Sequence, residues 1–281
     1  MRWQRGGRSE DLIDQRGAPA GGRGGGGIPV GKLGIGGIVI VGLLSVILGK
    51  NLFVGGGGPG GPVDDAAEEE QVEFVSSILD DNQALWGSEL GRQTGKPYRK
   101  AKLVLFRDGV DSACGFAESA VGPFYCPPDE KVFLDLSFFR ALGKKLGAPG
   151  DFAQAYVIAH EIGHHVQNVL GTDEEMRSLQ SGKSKADQNK LSVRLELQAD
   201  CYAGVWAHST KKRDLLEKGD VEEAIGAAIA VGDDQLQKMG GGHVNPEKWT
   251  HGSSAMRKRW FSRGLETGDV KSCDTFGAAD L

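Results

Sequence analysis

A chain of 281 residues with 39% hydrophobic and 25% charged residues can bury a sizeable core and is not a disordered polymer. Its formal net charge of −5 argues against nucleic-acid binding, which would need Lys and Arg gathered on one face. Glycine is the outlier at 44 residues, and runs such as Gly24 to Gly27 and Gly55 to Gly58 mark tail and linker rather than fold.

Residues 1–30 read as an Arg- and Gly-rich tail. Residues 31–54 then read as one transmembrane helix. The run Gly36 to Leu48 is apolar or glycine apart from Ser45, and Lys32 and Lys50 can snorkel at its ends. At about 1.5 Å per residue the stretch is long enough to cross roughly 30 Å of hydrocarbon. A cleaved signal peptide is the rival, but no small-x-small cleavage site follows the run before the glycine linker. Arg2, Arg5, Arg8, Arg16, Arg23 and Lys32 precede the segment, and Asp64, Asp65 and Glu68 to Glu70 follow it. The positive-inside rule then puts the N terminus in the cytoplasm and everything beyond about residue 55 outside it, on the periplasmic or cell-surface side. Residues 55–71 read as a flexible linker and 72–281 as one domain.

Within that domain the pattern is α+β, a small sheet followed by a mainly helical half. Val72, Val75, Ile78, Leu79, Leu85 and Trp86 recur at helical period. Short strands are expected at 102–106 and 132–136, and a helix from about Ser137. Longer helices are expected at 151–169, 186–209 and 220–239, and a last one after Ser253. In the 220–239 helix Ala224, Ala227, Ala228, Val231 and Leu236 read as packing, with Asp233 and Asp234 solvated. Four cysteines suit an oxidising compartment. They permit three connectivities. The spacing of Cys114 and Cys126 allows a local bridge, which leaves Cys201 and Cys273 to join distant elements.

His160-Glu161-Ile162-Gly163-His164 is an HExxH sequence. On a helix, positions i and i+4 share a face, so both imidazoles can reach one Zn²⁺. Glu161, rotated about 100° from His160, can stand beside the hydrolytic water as general base without being a ligand. Glu196 follows 32 residues after His164 and completes a His₂Glu set that keeps one position open. Asp200, one turn later, can accept a hydrogen bond from the outer nitrogen of a ligating histidine and fix its tautomer. Without the HExxH sequence, Glu196 and Asp200 would read as a charged stripe beside Arg194. His251, in a polar Thr-His-Gly-Ser-Ser segment, is either a donor to the oxyanion of peptide hydrolysis or a purely structural residue. His165 reads as packing. The segments at 122–126 and 132–136 are either a substrate-binding sheet edge or an ordinary core hairpin.

His160 to Gln167, Glu196 to Gly204, Gly122 to Pro127, Thr250 to Arg257 and the N-terminal Met-Arg-Trp with its Arg-rich continuation resemble the bacterial putative neutral zinc metallopeptidase family. The resemblance spans nearly the whole chain. It implies a gluzincin-like, zincin-type domain, with the HExxH helix and the Glu-bearing helix facing a cleft. His243 matches no position of the family. The expected activity is membrane-anchored, zinc-dependent hydrolysis of a peptide or protein substrate. The alternative is a membrane-tethered binding or scaffold protein that cleaves nothing and closes a structural zinc site with a fourth donor, His165 or Cys201 being the nearest. Intramembrane proteolysis ranks third, because HExxH lies over a hundred residues from the apolar segment. Substrate and oligomeric state are not legible.

Overall fold

The computed structural model describes residues 1–18 and 65–281. The segment read as membrane-spanning, 31–54, lies outside the described residues. Among the described residues no helix is long and apolar enough to cross a membrane.

Three parallel strands, β1 (Leu12–Asp14), β2 (Lys102–Phe106) and β6 (Lys131–Asp135), form a sheet with an antiparallel edge strand, β5 (Phe124–Cys126), in the order β1-β2-β6-β5. A separate hairpin, β3 (Gly109–Ser112) and β4 (Gly115–Glu118), lies between β2 and β5 in sequence. Side chains alternate across a strand. Leu103, Leu105, Val132 and Leu134 therefore enter the main core, while Val104, Phe106, Phe124 and Phe133 form a second, smaller one under the hairpin. The Cys114–Cys126 disulfide ties that hairpin to the sheet edge.

Eight helices are described: α1 (Asp65–Thr94), α2 (Ser137–Lys144), α3 (Asp151–Leu170), α4 (Thr172–Gln180), α5 (Lys185–Lys212), α6 (Asp220–Ala230), α7 (Asp233–Met239) and α8 (Ser254–Thr267). The α+β expectation holds, with the helical half dominant. Burial runs almost all round α3, from Phe152 to Val169, so this helix is the axis of the domain rather than a surface element. Around it Trp86 of α1, Trp206 of α5, and Trp260 and Phe261 of α8 are fully buried. Each large side chain so removed from water contributes roughly 1.5–3 kcal/mol. The second disulfide, Cys201–Cys273, joins α5 to the C-terminal segment, and both bridges have the expected partners.

Three boundaries depart from expectation. Residues 1–18 do not stand apart as a tail: β1 pairs in register with β2, Leu12 opposite Leu103 and Asp14 opposite Leu105. Trp3 packs edge-on against Phe74, and the Met1 ammonium lies 2.8 Å from both carboxylate oxygens of Asp151. The basic residues read as topological signals are ion-paired with the acidic ones read the same way: Arg5 with Glu70, Arg8 with Glu69 and Arg16 with Glu68. Helix α1 begins at Asp65, within the stretch assigned to a linker. The 220–239 helix breaks at Val231 and Gly232, because a Cβ on Gly232 would lie 2.5 Å from Ser254 Oγ and the chain must turn where α8 begins.

Candidate metal centre

Helices α3 and α5 cross where Gly163 meets Ala199, and a Cβ on Gly163 would lie 2.9 Å from the Ala199 carbonyl oxygen. That approach brings the HExxH turn against the Glu196 turn. Helix α8 in turn lies close on α5, through Gly204 and Gly264.

His160 Nε2 lies 3.3 Å from Glu196 Oε2, and His164 Nε2 lies 3.5 Å from Glu196 Oε1. One ligand atom from each of the three residues falls within 4.8 Å of the others. All three side chains are buried. His164 Nε2, Glu196 Oε2 and Glu161 Oε2 have no hydrogen-bond partner. A buried lone pair without a partner costs free energy, and those of His164 and Glu196, meeting at one point with His160, fit a cation. The donor set, two imidazoles and a carboxylate, is one that catalytic zinc takes.

The outer nitrogens are occupied. His160 Nδ1 lies 2.9 Å from Asp200 Oδ1, and His164 Nδ1 lies 2.8 Å from Gln167 Oε1. Gln167 is held by donating to the Leu195 carbonyl and to Gln198. Arg257 grips Asp200 with two bonds, Nε to Oδ2 at 2.8 Å and Nη2 to Oδ1 at 2.9 Å, while the Tyr156 hydroxyl donates to Oδ1 as well.

The electrostatics follow the packing. Burial opposes the charge on Asp200, but Arg257 and His160 outweigh it and bring its pKa to about 2. Burial likewise opposes the charge on Glu196, yet His164 and His160 hold it well below the ordinary carboxylate range. For Glu161 burial wins and the pKa rises. Burial disfavours a charged His164, but Glu196 and Glu161 still raise its pKa: the site's negative charge calls for a positive one.

The family model of putative neutral zinc metallopeptidases matches residues 1–276. This chain belongs to that family. It is 44% identical over 289 residues to the uncharacterized protein YpfJ of Escherichia coli K12, with 99% of each chain covered. It is 48% identical over 195 residues to the uncharacterized protein Rv2575 of Mycobacterium tuberculosis H37Rv, covering 66% of this chain and 65% of that one. No solved structure matches.

The structure brings together all the residues the family motif singles out: His160, Glu161, His164, Glu196 and Asp200. His251 lines the same recess as His160, Glu161 and Glu196. Its Nδ1 lies 3.2 Å from Asp233 Oδ1. Asp233 is not solvated, as expected from the sequence, but fully buried, with Oδ2 accepting from the backbone N–H groups of Thr250, His251 and Gly252. His165 is committed at both nitrogens, to the Tyr125 hydroxyl and the Arg99 carbonyl. Arg257 and Gln167 escaped the sequence reading as functional residues. For Arg257 a signal existed: it shares the i, i+3, i+4, i+7, i+8 stripe of α8 with Trp260, Phe261, Gly264 and Leu265, so a cation stood on the buried face.

Proposed function

We propose that the protein is a zinc-dependent peptidase that hydrolyses peptide bonds with Glu161 as general base. The observation that carries this reading is the meeting of His160 Nε2, His164 Nε2 and the Glu196 carboxylate at one buried point, with unpartnered lone pairs there and on Glu161. Zn²⁺ bound by these three residues would polarise the scissile carbonyl and lower the pKa of the attacking water toward neutrality. Glu161, raised by burial, takes the water's proton and passes it to the leaving amine. Asp200 fixes the tautomer of His160, so that Nε2 faces the metal, and Gln167 does the same for His164. His251, on the wall of the recess and oriented by Asp233, is placed to donate to the oxyanion.

A closed structural site is the weaker reading on a specific observation. Of the two donors nearest in sequence for a fourth ligand, His165 is bonded at both nitrogens and Cys201 is in a disulfide. We further propose that residues 31–54 attach the domain to a membrane and that the domain lies outside the cytoplasm, where its two disulfides persist. The test is metal analysis of the purified protein together with a broad peptide-library digest. Zinc near one equivalent and cleavage are expected. Glu161→Gln should retain the metal and lose turnover by several orders of magnitude, and undiminished cleavage by that variant would remove Glu161 from the mechanism.

A further inference from the structure

The recess that opens from His160, Glu161 and Glu196 has a second wall of different chemistry, made by Pro123, Phe138, Val157, Val231 and Leu236. The space between the walls is about 60 Å³. Its apolar wall suits an aliphatic group of a few carbons. Resting on the peptidase reading, we infer that this recess is a specificity pocket that takes an aliphatic side chain adjoining the scissile bond.

Leu236 gives the first argument. It is only 2% exposed, yet it belongs to neither apolar core of the domain, and Val231 is likewise outside both. Their apolar surface faces the recess instead. The element that carries Leu236, the seven-residue helix α7, is short but firmly seated: Asp233 at its start accepts three backbone N–H bonds from the segment before α8. Asp234 holds that segment too, accepting from the Ser254 backbone. A break in the chain at Gly232, a buried anchor and an outlying leucine together present an aliphatic surface to the metal ligands.

The charges on the lining give the second argument. Arg257 reaches the recess but spends its guanidinium on Asp200 and Tyr156. His251 spends Nδ1 on Asp233. Glu161 and Glu196 are assigned to proton transfer and to the metal. A charged substrate side chain would enter with no counter-ion to meet it, which is costly against an apolar wall. An aliphatic one removes apolar surface from water on both partners, and each methylene that fits is worth on the order of 10-fold or more in kcat/KM.

The test reads binding as well as turnover. Full-length Glu161→Gln protein loaded with zinc is titrated calorimetrically with hydroxamates that carry a methyl, isobutyl or carboxymethyl side chain. In parallel, wild type is assayed on peptides varied at the same position. The isobutyl compound is expected to bind at least 10-fold tighter than the methyl and carboxymethyl ones. Leu236→Ala should weaken the isobutyl compound relative to methyl, and Leu236→Trp should abolish the preference for isobutyl over methyl with zinc content unchanged. Equal affinities across the series, or a preference indifferent to both Leu236 variants, would overturn the inference and leave the peptidase reading intact. Discrimination in binding without cleavage by wild type would remove the peptidase reading and retain the pocket.

Discussion

A carboxylate as deeply buried as Asp200 costs several kcal/mol to keep ionised unless donors surround it. Here Arg257, Tyr156 and His160 are those donors, so the orientation of the His160 ring is set by a cation 97 residues away in sequence. Arg257→Lys keeps the charge and loses the two-pronged grip. Its zinc affinity is expected to fall about 10–100-fold, as is usual when a ligand's supporting residue is disturbed, measured by competition with a chromophoric chelator. Removing the charge altogether, as in Arg257→Met, leaves Asp200 uncompensated and should also cost about 3–5 kcal/mol of stability. An unchanged zinc affinity in Arg257→Lys would show that Asp200 holds His160 without help. His160, Glu161 and His164 were legible in the sequence because their geometry is local to one helical turn and the next. Glu196 and Asp200 were legible because the same turn spacing recurs on a second helix. Arg257 and Asp233 were not, because what each does is decided by the element it meets, and a charged residue read alone defaults to solvent.

At the scale of elements, His160, His164 and Glu196 meet because three helices come closer than ordinary side chains allow. A Cβ on Gly204 would lie 2.1 Å from the Phe261 carbonyl oxygen, and one on Gly264 would lie 2.0 Å from that of Cys201. Gly163 is the contact that matters most for chemistry, since it lies between the two histidines and faces the Glu196 helix. Gly163→Ala puts a methyl 2.9 Å from backbone that cannot rotate away. Overpacking of this kind costs typically 1–3 kcal/mol. An ångström of misplacement at a reacting centre costs on the order of 100-fold in rate. We therefore expect Gly163→Ala to fold, with an unchanged far-UV spectrum and a lower Tm, and to lose kcat/KM by about that factor. Wild-type kinetics in this variant would mean that α3 and α5 slide without disturbing the ligands. The long helices were legible in the sequence, as were the strands expected at 102–106 and 132–136, the second of which lies at Lys131–Asp135. The break inside 220–239 was not: both halves have helical period, and only the approach of Ser254 to Gly232 separates them.

For the whole molecule, the decisive fact is where the first eighteen residues lie. Sequence reading took Arg2, Arg5, Arg8 and Arg16 as a cytoplasmic flank and Glu68 to Glu70 as the opposite one. The structure pairs Arg5, Arg8 and Arg16 with those same acids and hydrogen-bonds β1 to β2. Paired strands share a compartment. Residues 1–18 and 65–281 therefore lie on the same side of any membrane. The positive-inside rule counts Lys and Arg in the segments that flank a span, and those three arginines lie instead against the folded domain. The consequence can be measured in intact cells with a membrane-impermeant maleimide, because all four native cysteines are in disulfides. Arg5→Cys and Lys258→Cys, both at exposed positions, are expected to label to the same extent, each from outside if the domain is extracytoplasmic. Labelling of Lys258→Cys alone would restore a single crossing and would require β1 to leave the sheet.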